Sequence, residues 1–130
     1  MGNILLGRLS TLEEVVSTGR SGSFFFKSAD GKYLIKSLPP EEHLFLQKNL
    51  FSYYKHLTQY PNTLLVRFYG LYRMSSKKGD VEFVVMENMF ATPLDIYEKY
   101  DLKGSTVNRS ITGQVEEWNP NLALKDMDLH

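Results

Sequence analysis

Ser17-Thr18-Gly19-Arg20-Ser21-Gly22-Ser23-Phe24-Phe25-Phe26-Lys27-Ser28-Ala29-Asp30-Gly31-Lys32-Tyr33-Leu34-Ile35-Lys36 reads as a small-residue loop, a strand, a tight turn and a second strand ending in a lysine. Gly19, Ser21, Gly22 and Ser23 carry little side-chain bulk, so their backbone N–H groups can approach an anion closely. Ser23 to Ser28 is rich in aromatic residues and suits a strand. Asp30-Gly31 is a strong short-range hairpin signal. Tyr33, Leu34 and Ile35 continue the ribbon and deliver Lys36 near its end. A lysine held beneath a glycine-rich loop is a phosphate-gripping arrangement. The spacing is Gly-x-x-Gly and not the fuller Gly-x-Gly-x-x-Gly. Taken alone, the stretch fits equally a serine-glycine turn before an ordinary hairpin, with Lys36 a solvated strand lysine.

Working outward, Leu12 to Thr18 has the apolar content of a first strand entering the loop. After the hairpin, Pro39-Pro40-Glu41-Glu42 marks a helix start. Proline fits the first helical position, and acids favour the positive end of the helix dipole. Leu46, Leu50, Tyr54 and Leu57 then recur at helical spacing and predict a core-facing stripe through Gln59, where Pro61-Asn62-Thr63 breaks the pattern. Leu65 to Met74 predicts a strand with Val66, Phe68 and Tyr72 on one face and Arg67, Tyr69, Leu71 and Arg73 on the other. A polar turn, Ser75 to Asp80, leads to the apolar run Val81 to Met86, expected as a central strand buried on both faces. Ile96 to Lys103 is expected to be extended. From Gly104 onward little regular order is predicted. The class is therefore α+β, a mainly antiparallel sheet with one long helix across a face.

Composition bounds the function. With 130 residues, 42% hydrophobic and 13% aromatic, the chain is one domain's worth, or a piece of a larger one, with enough apolar mass for a core. Fifteen basic and fifteen acidic residues cancel, so there is no bulk basic field for nucleic acid and any anion site must be local. The absence of cysteine excludes disulfides and thiolate metal sites, and suits a reducing compartment. His43, His56 and His130 lack ligand spacing, so no metal site is expected among them. No apolar run approaches the roughly 20 residues of a membrane helix, and no signal peptide is evident. Met1-Gly2-Asn3 is a poor myristoylation start because Leu6 stands where Ser or Thr is wanted.

The residues also carry a resemblance. Gly19 to Phe26, Tyr33 to Leu38, Tyr53 to Leu57, Asn62 to Leu65, Phe68 to Tyr72, Asp101-Leu102-Lys103-Gly104-Ser105-Thr106 and Lys125-Asp126-Met127-Asp128-Leu129 together closely resemble the phosphatidylinositol phosphate kinases. The wording is nearer the phosphatidylinositol-4-phosphate 5-kinases than the 5-phosphate 4-kinases. The resemblance implies part of a kinase N-lobe-like, SAICAR synthase-like fold. It places an ATP-binding lobe at residues 1–103 and an irregular segment leading to a second lobe at residues 104–130.

It also implies roles. Gly19, Ser21, Gly22 and Ser23 would cover the ATP phosphates, and Lys36, the one catalytic residue expected here, would neutralise phosphate oxygens. Met86, Asn88 and Met89 would form the link that meets the adenine edge, with Ile35 and Val85 as apolar neighbours of the ring. Glu41 or Glu42 would be the helix partner of Lys36, a part that competes with simple dipole stabilisation at the helix start. Lys103 and Arg109 would face the phosphoinositide headgroup. Asp126 and Asp128 would not be the metal pair. The Mg²⁺ ligands and catalytic carboxylate would come from Met-Asp-Tyr-Ser-Leu and Ile-Ile-Asp blocks, which do not occur in these 130 residues. On this reading the whole enzyme transfers the γ-phosphoryl group of ATP to a phosphoinositide, PI4P to PI(4,5)P2, at the cytoplasmic surface of a membrane. The 130-residue piece would be inactive and prone to self-association through its exposed docking face. The alternatives are a non-catalytic phosphoinositide-binding or dimerisation module on the same lobe, and the N-lobe of a protein kinase, against which stands the Asp101–Thr106 block.

Overall fold

A computed structural model of the chain describes residues 12–15, 23–77, 79–112 and 122–129. It divides into two compact units, Met1–Ala91 and Thr92–His130.

The first unit is a five-stranded antiparallel sheet with one helix, the α+β arrangement expected. Its strands are β1 (Glu13–Val15), β2 (Phe25–Lys27), β3 (Tyr33–Leu38), β4 (Phe68–Ser76) and β5 (Gly79–Glu87), in the spatial order β1-β2-β3-β5-β4. Helix α1 (Pro40–Gln59) runs between β3 and β4 in sequence. The β2–β3 turn closes as Asp30-Gly31 predicts. Gly31 has φ 71°, a left-handed conformation that favours glycine. Asp30 Oδ1 accepts from Ser28 Oγ at 2.7 Å and from the Lys32 amide at 3.2 Å.

Helix α1 starts with Pro40 in its first turn, followed by Glu41 and Glu42. Its inward stripe differs from the expected one. Leu50 and Tyr54 are exposed, whereas His43 is buried and Leu46, Tyr53 and Leu57 are half-buried. Polar His43 and Tyr53 can turn inward because each finds a partner. Tyr53 donates its hydroxyl to the Val66 carbonyl and accepts from the Phe68 amide, both at 2.8 Å.

Strand β4 carries a bulge between Phe68 and Gly70. The extra residue shifts the two-residue alternation, so Phe68 ends on the same face as Leu71 and Arg73 and not with Tyr72. Phe68 then packs on Tyr53 of the helix, ring centroids 5.1 Å apart. On the other face Tyr72 stacks on Phe83 of β5 at 5.3 Å. The Tyr72 ring lies over Gly70, where an added Cβ would come within 2.3 Å of its hydroxyl oxygen. Strand β5 is likewise not buried on both faces. Glu82 and Val84 are buried toward the helix, and Val81 on the opposite face is exposed.

The second unit pairs β6 (Lys99–Asp101) in parallel with β7 (Ala123–Lys125), followed by a 3-10 turn at Asp126–Asp128. Lys99–Asp101, assigned on the sequence to the first region, thus pairs within the second unit. Two aspartates staple this unit. Asp128, almost fully buried, accepts from Ser110 Oγ at 2.7 Å, the Lys125 amide at 3.0 Å and the Ile111 amide at 3.1 Å, and also from the Thr112 hydroxyl. Asp126 accepts from the Lys103 and Gly104 amides at 2.9 and 2.7 Å.

Candidate functional site

Lys36 lies near the end of β3, paired in register with Val84 of β5 and Phe25 of β2. Its ammonium sits 3.1 Å from Glu42 Oε2 in the first turn of α1, and 6.0 Å from the Phe25 ring centroid. The pair forms because β3 ends at Leu38 and Pro39 turns the chain directly into the helix, bringing Glu42 back over the strand. Glu42, and not Glu41, is the partner.

The strand period sorts the other nucleotide-site candidates. Ile35 pairs with Val85, and both lie on the face away from Lys36. On β3 and β5 the apolar side chains that share the lysine's face are Leu34, Leu38, Val84 and Met86. The structure therefore does not bring Ile35 and Val85 to Lys36, because neighbouring residues of a strand point to opposite sides.

Asn88 follows β5 and is pinned to the β2–β3 turn. Its backbone amide donates to the Lys32 carbonyl at 2.9 Å, and its side-chain amide donates to the Gly31 carbonyl at 2.7 Å. Its Oδ1 accepts from the Phe90 amide at 3.2 Å and its carbonyl from the Ala91 amide at 2.9 Å. Asn88 thus shapes this segment, while the neighbouring Met89 side chain is exposed. Ser23 is buried, and its hydroxyl has no hydrogen-bond partner among the described residues. Gly19, Ser21 and Gly22 lie outside the described residues.

In the second unit, Lys103 and Arg109 have different surroundings. The Lys103 side chain is 60% exposed, and its ammonium reaches both oxygens of Asp101, at 2.8 and 2.6 Å. That ammonium holds the Asp101 carboxyl below the usual carboxylate range. Arg109 is buried. Its Nε donates to Asp126 Oδ2 at 2.6 Å, and its terminal nitrogen donates to the Asp101 carbonyl. This contact raises the Arg109 pKa and drives the Asp126 carboxyl far below its ordinary value. The Asp128 carboxyl is also driven far down, first by the Thr112 hydroxyl and then by the other donors around it. Arg109 therefore braces the turn that carries Lys103, with its Nε and one terminal nitrogen engaged inside the protein.

Among the described residues there is no cluster of three or more His, Asp or Glu side chains able to hold a metal ion. Asp126 and Asp128 are occupied by protein donors, so they do not fit a metal pair. No helix among the described residues is long and apolar enough to cross a membrane.

Sequence reasoning did not single out Glu82, and it named His43 and Asp101 without the contacts they make here. Glu82 left a signal, as the one charged residue inside the apolar run Val81–Met86. The contacts of Asp101 and Asp126 left none, because they depend on a turn that brings distant segments together.

Comparison with known proteins agrees with this geometry. The chain is 38% identical over 135 residues to a phosphatidylinositol 4-phosphate 5-kinase of Plasmodium falciparum, covering 99% of this chain and 8% of the relative. It is 42% identical to the phosphatidylinositol 4-phosphate 5-kinase its3 of Schizosaccharomyces pombe, covering 88% of this chain and 16% of the relative. It is 45% identical to phosphatidylinositol 4-phosphate 5-kinase 1 of Oryza sativa, covering 92% of this chain and 16% of the relative. The chain thus spans less than a fifth of the length of these relatives. The family model described as phosphatidylinositol-4-phosphate 5-kinase matches residues 6–130, and the chain belongs to that family.

Proposed function

We propose that this chain supplies the nucleotide-binding lobe of a lipid kinase that transfers the γ-phosphoryl group of ATP to a phosphoinositide, converting PI4P to PI(4,5)P2. The single observation that carries the reading is the Lys36–Glu42 ion pair, between the end of a hairpin strand and the first turn of the following helix. Phosphoryl transfer is catalysed mainly by positioning and charge neutralisation. A lysine held in place by a carboxylate is suited to gripping phosphate oxygens. Lys36 takes that role here, with Ser23 and the Gly19–Gly22 segment over the phosphates. Leu34 and Met86, on the lysine's face, are the apolar neighbours of the base, and the Met89 backbone meets its edge. Lys103 faces the lipid headgroup on a turn that Arg109 braces.

The divalent ions this reaction uses find no fitting ligand set among the described residues of the chain. In our reading they are held by carboxylates elsewhere in the longer protein, so the 130-residue chain alone turns over no substrate. The longer protein works at the cytoplasmic face of a membrane as a peripheral enzyme.

The test is phosphorylation of PI4P vesicles by the full-length protein, with its Lys36→Met variant beside it. The parent should form PI(4,5)P2, and the variant should lose about 10²–10³-fold in rate, the scale on which one preorganised charge partner acts. Lipid binding without phosphoryl transfer by the full-length protein would instead favour the non-catalytic module. Undiminished activity of Lys36→Met would remove the lysine from the site.

A further inference from the structure

Glu82 is a costly residue for a sheet interior. Its side chain is 8% exposed, in a strand whose neighbours are Val81, Phe83, Val84 and Val85. Its Oε1 accepts from Arg73 Nε at 2.8 Å and from a second Arg73 nitrogen, while its buried Oε2 has no donor among the described residues. An incompletely satisfied buried carboxylate destabilises a fold relative to an apolar residue of similar size. The side chain that faces it from the helix is His43, itself buried, with Nδ1 3.6 Å from Glu82 Oε1. His43 follows Glu42 directly. The register sets Lys36 opposite Val84 and Leu38 opposite Glu82, so Lys36 and Glu82 share one face of adjacent strands. Two consecutive residues in the first turn of α1 thus reach two strands, Glu42 to Lys36 of β3 and His43 to Glu82 of β5. Arg73 extends the line to β4.

The geometry points to Glu82 and His43 as positioning residues that hold the first turn of α1 on the sheet so that Glu42 stays on Lys36. The inference rests on the nucleotide-site reading above. Neither residue touches the nucleotide. They act through the Lys36–Glu42 pair, which is half-exposed and too weak to fix a helix by itself. Packing alone does not explain the arrangement, since Val or Ile at position 82 would fill the strand at less cost.

The experiment uses the full-length protein, with initial rates measured against ATP at saturating PI4P vesicles. His43→Ala should lower kcat/KM for ATP about tenfold and leave the KM for lipid in place. His43→Asn should restore most of the loss, because its amide nitrogen falls where Nδ1 lies, whereas His43→Gln should not. Glu82→Gln keeps the shape of the side chain and should reproduce the His43→Ala defect. In the Glu42→Gln background, His43→Ala should cost nothing further, because the pair it orients is already gone. A defect of the same size in that background, or parental kcat/KM for His43→Ala, would overturn the inference. The Lys36→Met assay tests the nucleotide-site reading separately. An inactive Lys36→Met with additive His43 and Glu42 effects sinks this proposal alone.

Discussion

Arg109 and Asp126 lie 17 residues apart in the chain, and their Nε–Oδ2 contact of 2.6 Å is what gives the Asp101–Thr106 turn its shape. The free oxygen of the same carboxylate receives the amides of Lys103 and Gly104. Gly104, at φ 66°, adopts the left-handed conformation this turn needs. An arginine that the resemblance offered as a headgroup ligand thus holds the turn that carries Lys103. Arg109→Ala should leave Asp126 without its main partner and loosen the turn. Amide exchange at Lys103 and Gly104 should quicken by about tenfold, the factor carried by one hydrogen bond to a charged group. Unchanged exchange at both amides would show that the turn stands without the arginine.

The two staple carboxylates make the second unit acid-sensitive. Asp126 and Asp128 have native pKa values depressed well below their ordinary value of 3.8. A depressed native pKa means that the unfolded chain takes up protons first as pH falls. The contribution to stability is therefore present in full above the ordinary value and is lost progressively as pH drops below it. The protection of the Ile111 and Lys125 amides, whose N–H groups donate to Asp128, measured relative to their intrinsic exchange rates at each pH, should fall steeply below about pH 4 and stay flat between about pH 6 and 8. Asp128→Asn should raise the exchange at neutral pH and flatten the acid limb. An acid limb equally steep in that variant would assign the sensitivity to other groups.

What the sequence made legible follows from how local each signal was. The hairpin at Asp30-Gly31 and the helix bounds at Pro40 and Gln59 rest on residues within a turn of each other, and both were readable. The inward stripe of α1 was not, because His43 and Tyr53 look polar until Glu82, Val66 and Phe68 arrive from β5 and the segment entering β4. The faces of β4 were misassigned for a similar reason. The bulge's one compositional mark is Gly70 inside the strand, and it inverts the alternation on one side. Of the site, Lys36 was found from its position at the end of an aromatic-rich ribbon. Ile35 was named from the resemblance as a neighbour of the adenine ring, and the strand puts it on the face away from Lys36. Apart from the local Lys125 amide, the contacts of the Asp126 and Asp128 staples span 16 to 23 residues and depend on tertiary closure, which periodicity does not encode.

Tyr53 offers a test of the helix–bulge junction. Its hydroxyl is donor to Val66 and acceptor from Phe68, so one oxygen satisfies two backbone groups at the point where β4 begins. Tyr53→Phe keeps the ring contact with Phe68 and removes only those two bonds. The Phe68 amide is then left part-buried without its acceptor. A loss of about 1–3 kcal/mol in unfolding free energy is expected, the usual cost of an orphaned buried donor. Chemical denaturation of parent and variant at equal concentration would measure it. A difference under about 0.5 kcal/mol would show that water replaces the hydroxyl.

Lys103 separates binding from stability. Its partner Asp101 is about half-exposed, and the ion pair between them is a surface contact. Such pairs contribute between about 0 and 1 kcal/mol, so an incoming phosphate can take the lysine from Asp101 at little cost. Lys103→Gln should leave the melting temperature of the full-length protein within about a degree or two, since surface substitutions of this kind shift stability by about 0.5 kcal/mol at most. It should raise the KM for PI4P about tenfold while the KM for ATP stays put, because in the proposed role the lost charge acts on the lipid alone. Asp101→Asn removes the competing carboxylate and should lower the KM for PI4P. If Lys103→Gln raised both KM values together, or if Asp101→Asn weakened lipid use as much as Lys103→Gln does, the pair would be a structural brace and Lys103 would have no part in holding the headgroup.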